Sequence, residues 1–277
     1  MLKITIIGHG FVGKAVDYAF QDDVEKQIID PKYDVHLHDV GIESDITFIC
    51  VPTPMHKHGQ CDVSILEAVI NNIKQRMAGL IVIKSTVPPD QIENLFRGCA
   101  KHRMIYNPEF LTEKNANNDF LNQERFVLGG ELNNVQKVSD IYKLKFGQSI
   151  NIIETDFESA ELIKYVANTF LASKVSFMNE MKILSNKINA NWDDVLTGVT
   201  LDSRIGSSHV DVPGHDGKLG FGGSCFPKDI QALIHFSKSL GIELHVLQAA
   251  WKTNLEVRPE KDWELLDGRA ITKRKKT

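Results

Sequence analysis

The first twenty residues constrain the fold more than any other stretch. Leu2 to Ile7 is a short run rich in β-branched residues, the pattern of a buried parallel strand. Gly8-His9-Gly10-Phe11-Val12-Gly13 follows without a gap, and Lys14 to Phe20 can continue as a helix. A G-x-G-x-x-G set between a strand and a helix is the arrangement that receives a dinucleotide pyrophosphate. Gly8 makes the turn, and Gly10 lets the pyrophosphate approach the backbone at the helix N-terminus. Gly13 allows the helix to pack closely on the strand, and Phe11 and Val12 within the same loop are expected cofactor contacts. The next apolar run, Gln27-Ile28-Ile29, ends in Asp30. An acidic residue about twenty positions past the first glycine suits a ribose 2′-hydroxyl and would repel a 2′-phosphate. NAD is therefore expected over NADP, although Lys32 nearby tempers that preference and a turn aspartate before Pro31 would look the same.

Further apolar runs alternate with helical patterns. Strands are expected at Asp45–Val51, Leu80–Lys84, Arg103–Tyr106 and Arg125–Leu128, with a helix over Ser64–Met77. This order predicts an α/β fold with a Rossmann-like, doubly wound parallel sheet. Polar residues gather just past the strand ends, at Thr53, Thr86, Glu109 and Glu113, the edge where open α/β sheets bind ligands. Turn and capping chemistry also places Thr, Pro and Asn at such positions.

The second half reads differently. Phe157 to Asn189 lacks proline and glycine, and apolar residues recur at three- and four-residue steps from Leu162 to Ile188. Such a helix would be roughly 45–50 Å long, and its apolar residues on more than one side make it a candidate dimer core. Gly-Phe-Gly-Gly-Ser-Cys-Phe-Pro-Lys-Asp, residues 220–229, then sets Cys225 on a glycine turn at the start of a helix. A thiol there lies near the positive end of the helix dipole, which favours thiolate, and Lys228 and Asp229 follow within one turn. The same turn also suits a buried cysteine before a helix, and the pattern alone leaves both readings open. Glu109/Glu113, Lys164/Asn168 and Cys225/Asp229 share a spacing of four, which would put each pair on one helix edge.

The bulk numbers exclude several classes. With 277 residues, 32 Lys and Arg against 36 Asp and Glu, and a net charge of −4, no broad nucleic-acid footprint is expected. The basic run Lys273-Arg274-Lys275-Lys276 reads as a solvated tail. No apolar run reaches membrane-spanning length, and no signal peptide is expected ahead of the first strand. Cys50, Cys61, Cys99 and Cys225 are widely spaced, which suits a reducing cytoplasm and neither a disulfide framework nor a zinc site. His56-Lys57-His58 lacks a third ligand nearby, so no metal is expected.

Taken together these segments resemble the UDP-glucose/GDP-mannose dehydrogenase family, most closely its UDP-glucose-oxidising members. The matching pieces are Gly8–Gly13, Val51–Pro54, Ser85–Pro88, Asn107–Leu111 with Glu113, and Arg125 before Gly129-Gly130. They continue with Glu161–Asn168, Asp202–Gly206 and Gly220–Asp229, all in family order. The resemblance implies a four-electron, NAD-dependent oxidation of a nucleotide-sugar C6 alcohol, most directly UDP-glucose to UDP-glucuronate. Cys225 would form a thiohemiacetal and then a thioester. Lys164 with Asn168 would stabilise the oxyanion, Asp229 would hold the water or proton path, and Thr86 would position water and substrate. Glu109 or Glu113 would assist hydrolysis. Cofactor contacts are implied at Thr53, Thr86, Glu113 and Lys228, and substrate contacts at Glu109, Phe110, Leu111, Lys164, Asn168, Phe221 and Gly222. Arg204 would reach a neighbouring subunit's substrate in a homodimer.

The expected organisation is an NAD-binding domain over 1–155, a helical central domain over 156–258 that carries the cysteine and serves dimerisation, and a tail over 259–277. Two departures from the family stand out. Glu256 to Thr277 cannot form the third, nucleotide-reading domain usual in the family, and the segment from Asp30 to Ile46 is too short for a usual helical insert. Two other readings compete: a single-step hydroxyacid dehydrogenase of the 6-phosphogluconate type, and a non-catalytic NAD-binding regulatory subunit. The former has no need of Cys225.

Overall fold

The computed structural model describes residues 1–22, 24–73, 79–89, 91–95 and 103–273. Cys99, Arg274, Lys275, Lys276 and the end of the helix expected over Ser64–Met77 lie outside them. The chain divides into two compact units, one of residues Met1–Thr53 and Asp62–Lys164, the other of Pro54–Cys61 and Tyr165–Thr277.

The first unit holds a sheet in the order β2-β1-β3-β4-β5-β6-β7. Its strands are β1 (Leu2–Ile7), β2 (Val24–Ile29), β3 (Ile46–Ile49), β4 (Leu80–Ile83), β5 (Met104–Tyr106), β6 (Arg125–Gly130) and β7 (Asn151–Thr155). The helices between them are α1 (Phe11–Ala19), α2 (Ser64–Ile73), α3 (Ile92–Leu95), α4 (Ala116–Leu121) and α5 (Leu132–Phe146). Side chains alternate across the strands, so each strand feeds two cores. Ile4, Ile6, Phe48 and Val82 pack with Ala15, Val16 and Ala19 of α1. Ile7, Ile49, Ile81 and Ile83 pack with Leu66, Ile70 and Ile73 of α2. Full burial of an Ile or Leu side chain contributes about 1.5–3 kcal/mol, so these two faces fix the strand register and the doubly wound layering. The strand order reverses direction at β1, beside β3, and the glycine loop leaves β1 at that point.

One pairing departs from the wholly parallel sheet the sequence suggested: β5 and β6 run antiparallel, Ile105 opposite Gly130 and Tyr106 opposite Gly129. The connection from 107 to 124 therefore returns at the edge it left, and keeps Asn107–Leu111 along the C-terminal edge of β5.

The second unit contains most of α6 (Phe157–Lys187), then α7 (Trp192–Thr200), α8 (Phe226–Ser239) and α9 (His245–Val257). Asn189, in the left-handed region at φ 56°, ends the long helix just where the sequence set its limit. Met178 packs inward with Trp192, Val210 and Val212, while Leu162, Val166, Phe170, Leu184 and Ile188 are exposed. The stretch after 259, expected as a tail, contributes to a core instead. Trp263, 2% exposed, and Ala270 cluster with Met55, Trp251 and Leu255, and Met55 bridges to Ile271. An indole of that size favours burial over solvent when a partner surface is at hand. No helix among the described residues is long and apolar enough to cross a membrane.

Candidate active site

The dinucleotide edge lies in the first unit. Gly8 has φ 86°, and a Cβ there would come within 2.8 Å of the Cys50 carbonyl oxygen. A Cβ on Gly13 would run into the Gly8 carbonyl oxygen, so helix and turn pack as the fingerprint requires. Gly10 has nothing within 4 Å of its added Cβ, and as the N-cap of α1 it makes no side-chain capping bond. The helix start is thus open on the side where a pyrophosphate would sit. Asp30 is tied to this loop: its carboxylate accepts from the His9 N–H at 2.6 Å and from the Lys32 N–H at 2.9 Å. Lys32 Nζ donates to the His9 carbonyl and lies 3.9 Å from Asp30. These residues fit an NAD pyrophosphate and ribose. His9, a variable position of the fingerprint, carried no sequence signal. It is buried, with Nδ1 at 2.8 Å from the Tyr33 hydroxyl and Nε2 at 3.3 Å from Asp17. Burial pushes its pKa down, against the pull of Asp17.

Thr53, Ser85 and Thr86 are buried just past β3 and β4, and Ser85 Oγ donates to the Val51 carbonyl at 2.7 Å. Beside them stands a polar cluster that sequence reasoning missed. Lys84 Nζ donates to Asn107 Oδ1 at 2.8 Å, which also accepts from the Tyr142 hydroxyl at 2.8 Å, and Asn107 Nδ2 donates to the Val127 carbonyl at 2.8 Å. Asn107 thereby fixes the start of the segment that carries Glu109. Lys164 Nζ reaches the same segment, donating to the Glu109 carbonyl and pairing with Glu109 Oε1 at 3.0 Å. Glu109 Oε2 accepts from the Leu111 N–H at 2.7 Å. The Lys164 ammonium stands 5.5 Å from the centre of the Phe110 ring, and the Arg125 guanidinium 4.7 Å from it. Both members of the Lys164–Glu109 pair are buried. Glu113 is exposed at the start of a 3-10 turn. Glu109 and Glu113 do not share a helix edge, because Pro108 and residues 107–112 form extended loop.

Burial lowers the Lys84 pKa from 10.5 to about 8, with Cys50 and Glu109 opposing and Lys164 assisting. Between those values the unfolded chain binds more protons than the folded one, so this group's contribution to stability rises with pH across that window. The gap corresponds to about 3 kcal/mol of penalty carried below pH 8. Burial also pushes the Cys50 thiol up to about 12 and raises Tyr142, which act in the opposite sense at alkaline pH. The test is therefore a difference. Urea unfolding should show Lys84→Met gaining on the parent chain by about 2–3 kcal/mol more at pH 7 than at pH 10. An equal difference at the two pH values would contradict a buried, depressed lysine.

In the second unit Cys225 is the N-cap of α8, with Pro227 in the first turn. Its side chain is partly buried, as is that of Cys61, whereas Cys50 is buried. Asp229, 1% exposed, lies one turn on. Its Oδ2 accepts from Asn168 Nδ2 at 2.6 Å, and its Oδ1 pairs with Lys228. The fold thus brings Asn168 of α6 to Asp229 of α8. Burial alone would lower the Lys228 pKa, but Asp229, Cys225 and Cys61 more than offset it and hold the ammonium protonated. A fixed cation within range of Cys225 and a helix N-terminus both favour thiolate.

The turn before the cysteine is built differently from the sequence expectation. Phe221 is a core side chain, packed with Ala172, Ile230, Ile234 and Ala250, and both its backbone groups are bonded to Asn254. Gly222 lies against Arg258 and Asp262, so a Cβ there would collide with both. Arg204 is 87% exposed, its guanidinium paired with Asp202 at 2.5 Å. Lys174 donates to the carbonyls of Ile205, Gly206 and Ser208 and so pins the loop that carries Arg204. Asn179, Asn254, Arg258 and Asp262 had no motif to announce them, because each acts through the backbone or the charge of a distant segment.

Comparison with known proteins gives a consistent result. The NAD binding domain of the UDP-glucose/GDP-mannose dehydrogenase family matches residues 22–145, and the central domain of the same family matches 158–256. A UDP-glucose 6-dehydrogenase of Rickettsia prowazekii is 38% identical over 315 residues, covering 96% of this chain and 70% of the relative. A UDP-glucose 6-dehydrogenase of Bacillus subtilis is 36% identical over 249 residues, 86% of this chain but 52% of the relative. The chain spans about half the length of several curated relatives it matches. Among solved structures, a UDP-glucose dehydrogenase from Pyrobaculum islandicum superposes with a TM-score of 0.77 at 29% identity, covering 97% of this chain and 71% of that one.

Proposed function

Because the chain belongs to the UDP-glucose/GDP-mannose dehydrogenase family, we propose that it oxidises the C6 alcohol of a nucleotide sugar, UDP-glucose first among them, to the carboxylate. The observation that carries this reading is the cysteine turn: Cys225 caps α8 beside Lys228, with Asp229 one turn on and bonded to Asn168. A two-electron hydroxyacid oxidation needs no thiol there.

Bound NAD supplies the hydride acceptor, once for the alcohol and, as a second molecule, once for the cysteine adduct. The chain's residues do the rest. Asp229, fixed by Asn168 and Lys228, holds the water or proton path that takes the hydroxyl proton. The Cys225 thiolate adds to the aldehyde carbon, forming a C–S bond and a thiohemiacetal oxyanion. Lys164 and Asn168, one turn apart on α6, stabilise that oxyanion, the term that usually dominates such sites. Loss of hydride from the adduct leaves a thioester. Water attacks it, the C–S bond breaks, and the carboxylate and free thiolate are released. Of the two glutamates we assign the orienting of that water to Glu109; its burial against Lys164 supports the choice, whereas Glu113 is exposed. Covalent capture also keeps a reactive aldehyde from escaping. Thr86, Thr53 and Gly8–Gly13 position cofactor and substrate. A panel of UDP- and GDP-sugars with NADH readout tests the substrate assignment; NADH formed with none of them would sink it.

The exposed side of α6 supports a homodimer. Leu162, Val166, Phe170, Phe177, Leu184 and Ile188 recur on one face at steps of four and seven, and Phe170 is 67% exposed. A second copy covering this face would also let the exposed Arg204 serve the partner's substrate. Phe170→Asp is expected to give monomers by sedimentation and to lower turnover at least about tenfold, since a misplaced positioning group readily costs that much. A dimeric, active variant would remove the shared-site reading.

A further inference from the structure

Arg258 follows α9 and lies past the central-domain match, which ends at residue 256, yet its side chain is 2% exposed. Its Nε donates to Asp262 Oδ1 at 2.6 Å, one Nη donates to Asp216 Oδ2 at 2.6 Å, and the other donates to the Leu219 carbonyl at 3.2 Å. The second Asp262 oxygen accepts a long bond, 3.4 Å, from the Gly223 N–H. Gly222 sits between these groups, for its added Cβ would lie 2.5 Å from the Arg258 guanidinium and 2.5 Å from Asp262. Gly220 N–H donates to Asn179 Oδ1 at 3.1 Å, and Phe221 is held at both backbone groups by Asn254. The backbone from Gly220 to Gly223 is thus fastened along its length, and Cys225 stands two residues beyond the last tie.

A buried guanidinium must recover its lost hydration from its partners, and here they are two carboxylates and a carbonyl in fixed positions. A surface staple would need none of this. The glycines before the cysteine are free to turn, so without an outside constraint the thiol would sample many positions. We infer that Arg258 and Asp262 are positioning residues for Cys225. They clamp the glycine turn that delivers the thiol to the N-terminus of α8 and to the Lys228 ammonium, and so the segment after α9 helps build the site. The effect on turnover rests on the proposed function; the effect on thiol reactivity does not.

The test uses the full chain with Asp262→Asn. The amide fills the same volume but offers one acceptor oxygen to two donors, Arg258 Nε and Gly223 N–H. Alkylation of Cys225 by iodoacetamide at pH 7, followed by peptide mass spectrometry, is expected to slow about threefold or more as the thiol leaves its cationic surroundings. With nucleotide sugar, kcat should fall about tenfold while KM stays within about threefold, the signature of a displaced reacting group. Asp216→Asn loosens the same clamp from its more exposed end and should shift alkylation in the same direction by less, which serves if Asp262→Asn does not fold. A folded variant with parental Cys225 alkylation would overturn the inference and leave a simple structural staple. If the parent chain oxidises no nucleotide sugar, the proposed function fails, but the alkylation comparison still decides on the clamp.

Discussion

Cys225→Ala is expected to abolish carboxylate formation while leaving NAD binding unchanged. Removing the nucleophile of a covalent route should lower turnover at least about 10³-fold, about 4 kcal/mol at 1.4 kcal/mol per factor of ten. The fold should survive, because the side chain is partly exposed at a helix cap and makes no capping bond. NAD affinity, read by fluorescence titration, should hold, since the glycine fingerprint and Asp30 belong to the other unit. Cys225→Ser should accumulate an ester-type adduct, because an alkoxide is a poorer leaving group than a thiolate; intact-mass spectra after incubation with sugar and NAD would show it. Full carboxylate formation by Cys225→Ala would end the covalent mechanism.

Lys164→Met should have the next largest effect, and on two quantities at once. Lys164 and Glu109 form a buried ion pair, so removing the cation leaves a carboxylate without its counter-charge. Breaking such a pair typically costs about 3–5 kcal/mol of stability. Loss of the oxyanion donor should separately lower kcat about 10²–10³-fold. The two effects are separable. In Lys164→Met/Glu109→Gln the unpaired charge is gone and its neighbour can still hydrogen-bond, so most of the stability should return. The rate should not, because the oxyanion donor and the proposed water-orienting carboxylate are then both absent. Recovery of the rate in the double variant would show that Lys164 serves only to neutralise Glu109.

The parts of the fold governed by local chemistry were legible in the sequence. The Leu2–Phe20 unit, the tight turn at Gly8 and the uninterrupted helix to Lys187 each follow from glycine conformations or apolar periodicity within one short window. β7 was not legible: Asn151–Thr155 is a largely exposed edge strand, so it lacks the apolar run that marked the others. The strand β6 was legible but its antiparallel direction was not, because direction is set by where the 107–124 connection returns, not by residues inside the strand. At the site, Cys225, Asp229, Lys164 and Asn168 were visible as motif residues. Lys84, Asn254 and the Arg258–Asp216 pair were not, and Asn107 appeared only inside a matching segment with no role of its own, because their partners lie 20 to 42 positions away in sequence. The same reason explains Trp263. A tail and a packed strap look alike until Met55 and Trp251 are placed beside the indole.

Two successive oxidations on one sugar, joined by a covalent adduct at Cys225, fix the stoichiometry of the reaction. The most direct measurement is the NADH formed per UDP-glucose consumed, with the parent chain and limiting sugar. Two NADH per sugar, with carboxylate as the sole sugar product, is the expected result; one NADH per sugar with an aldehyde or ketone product would contradict it.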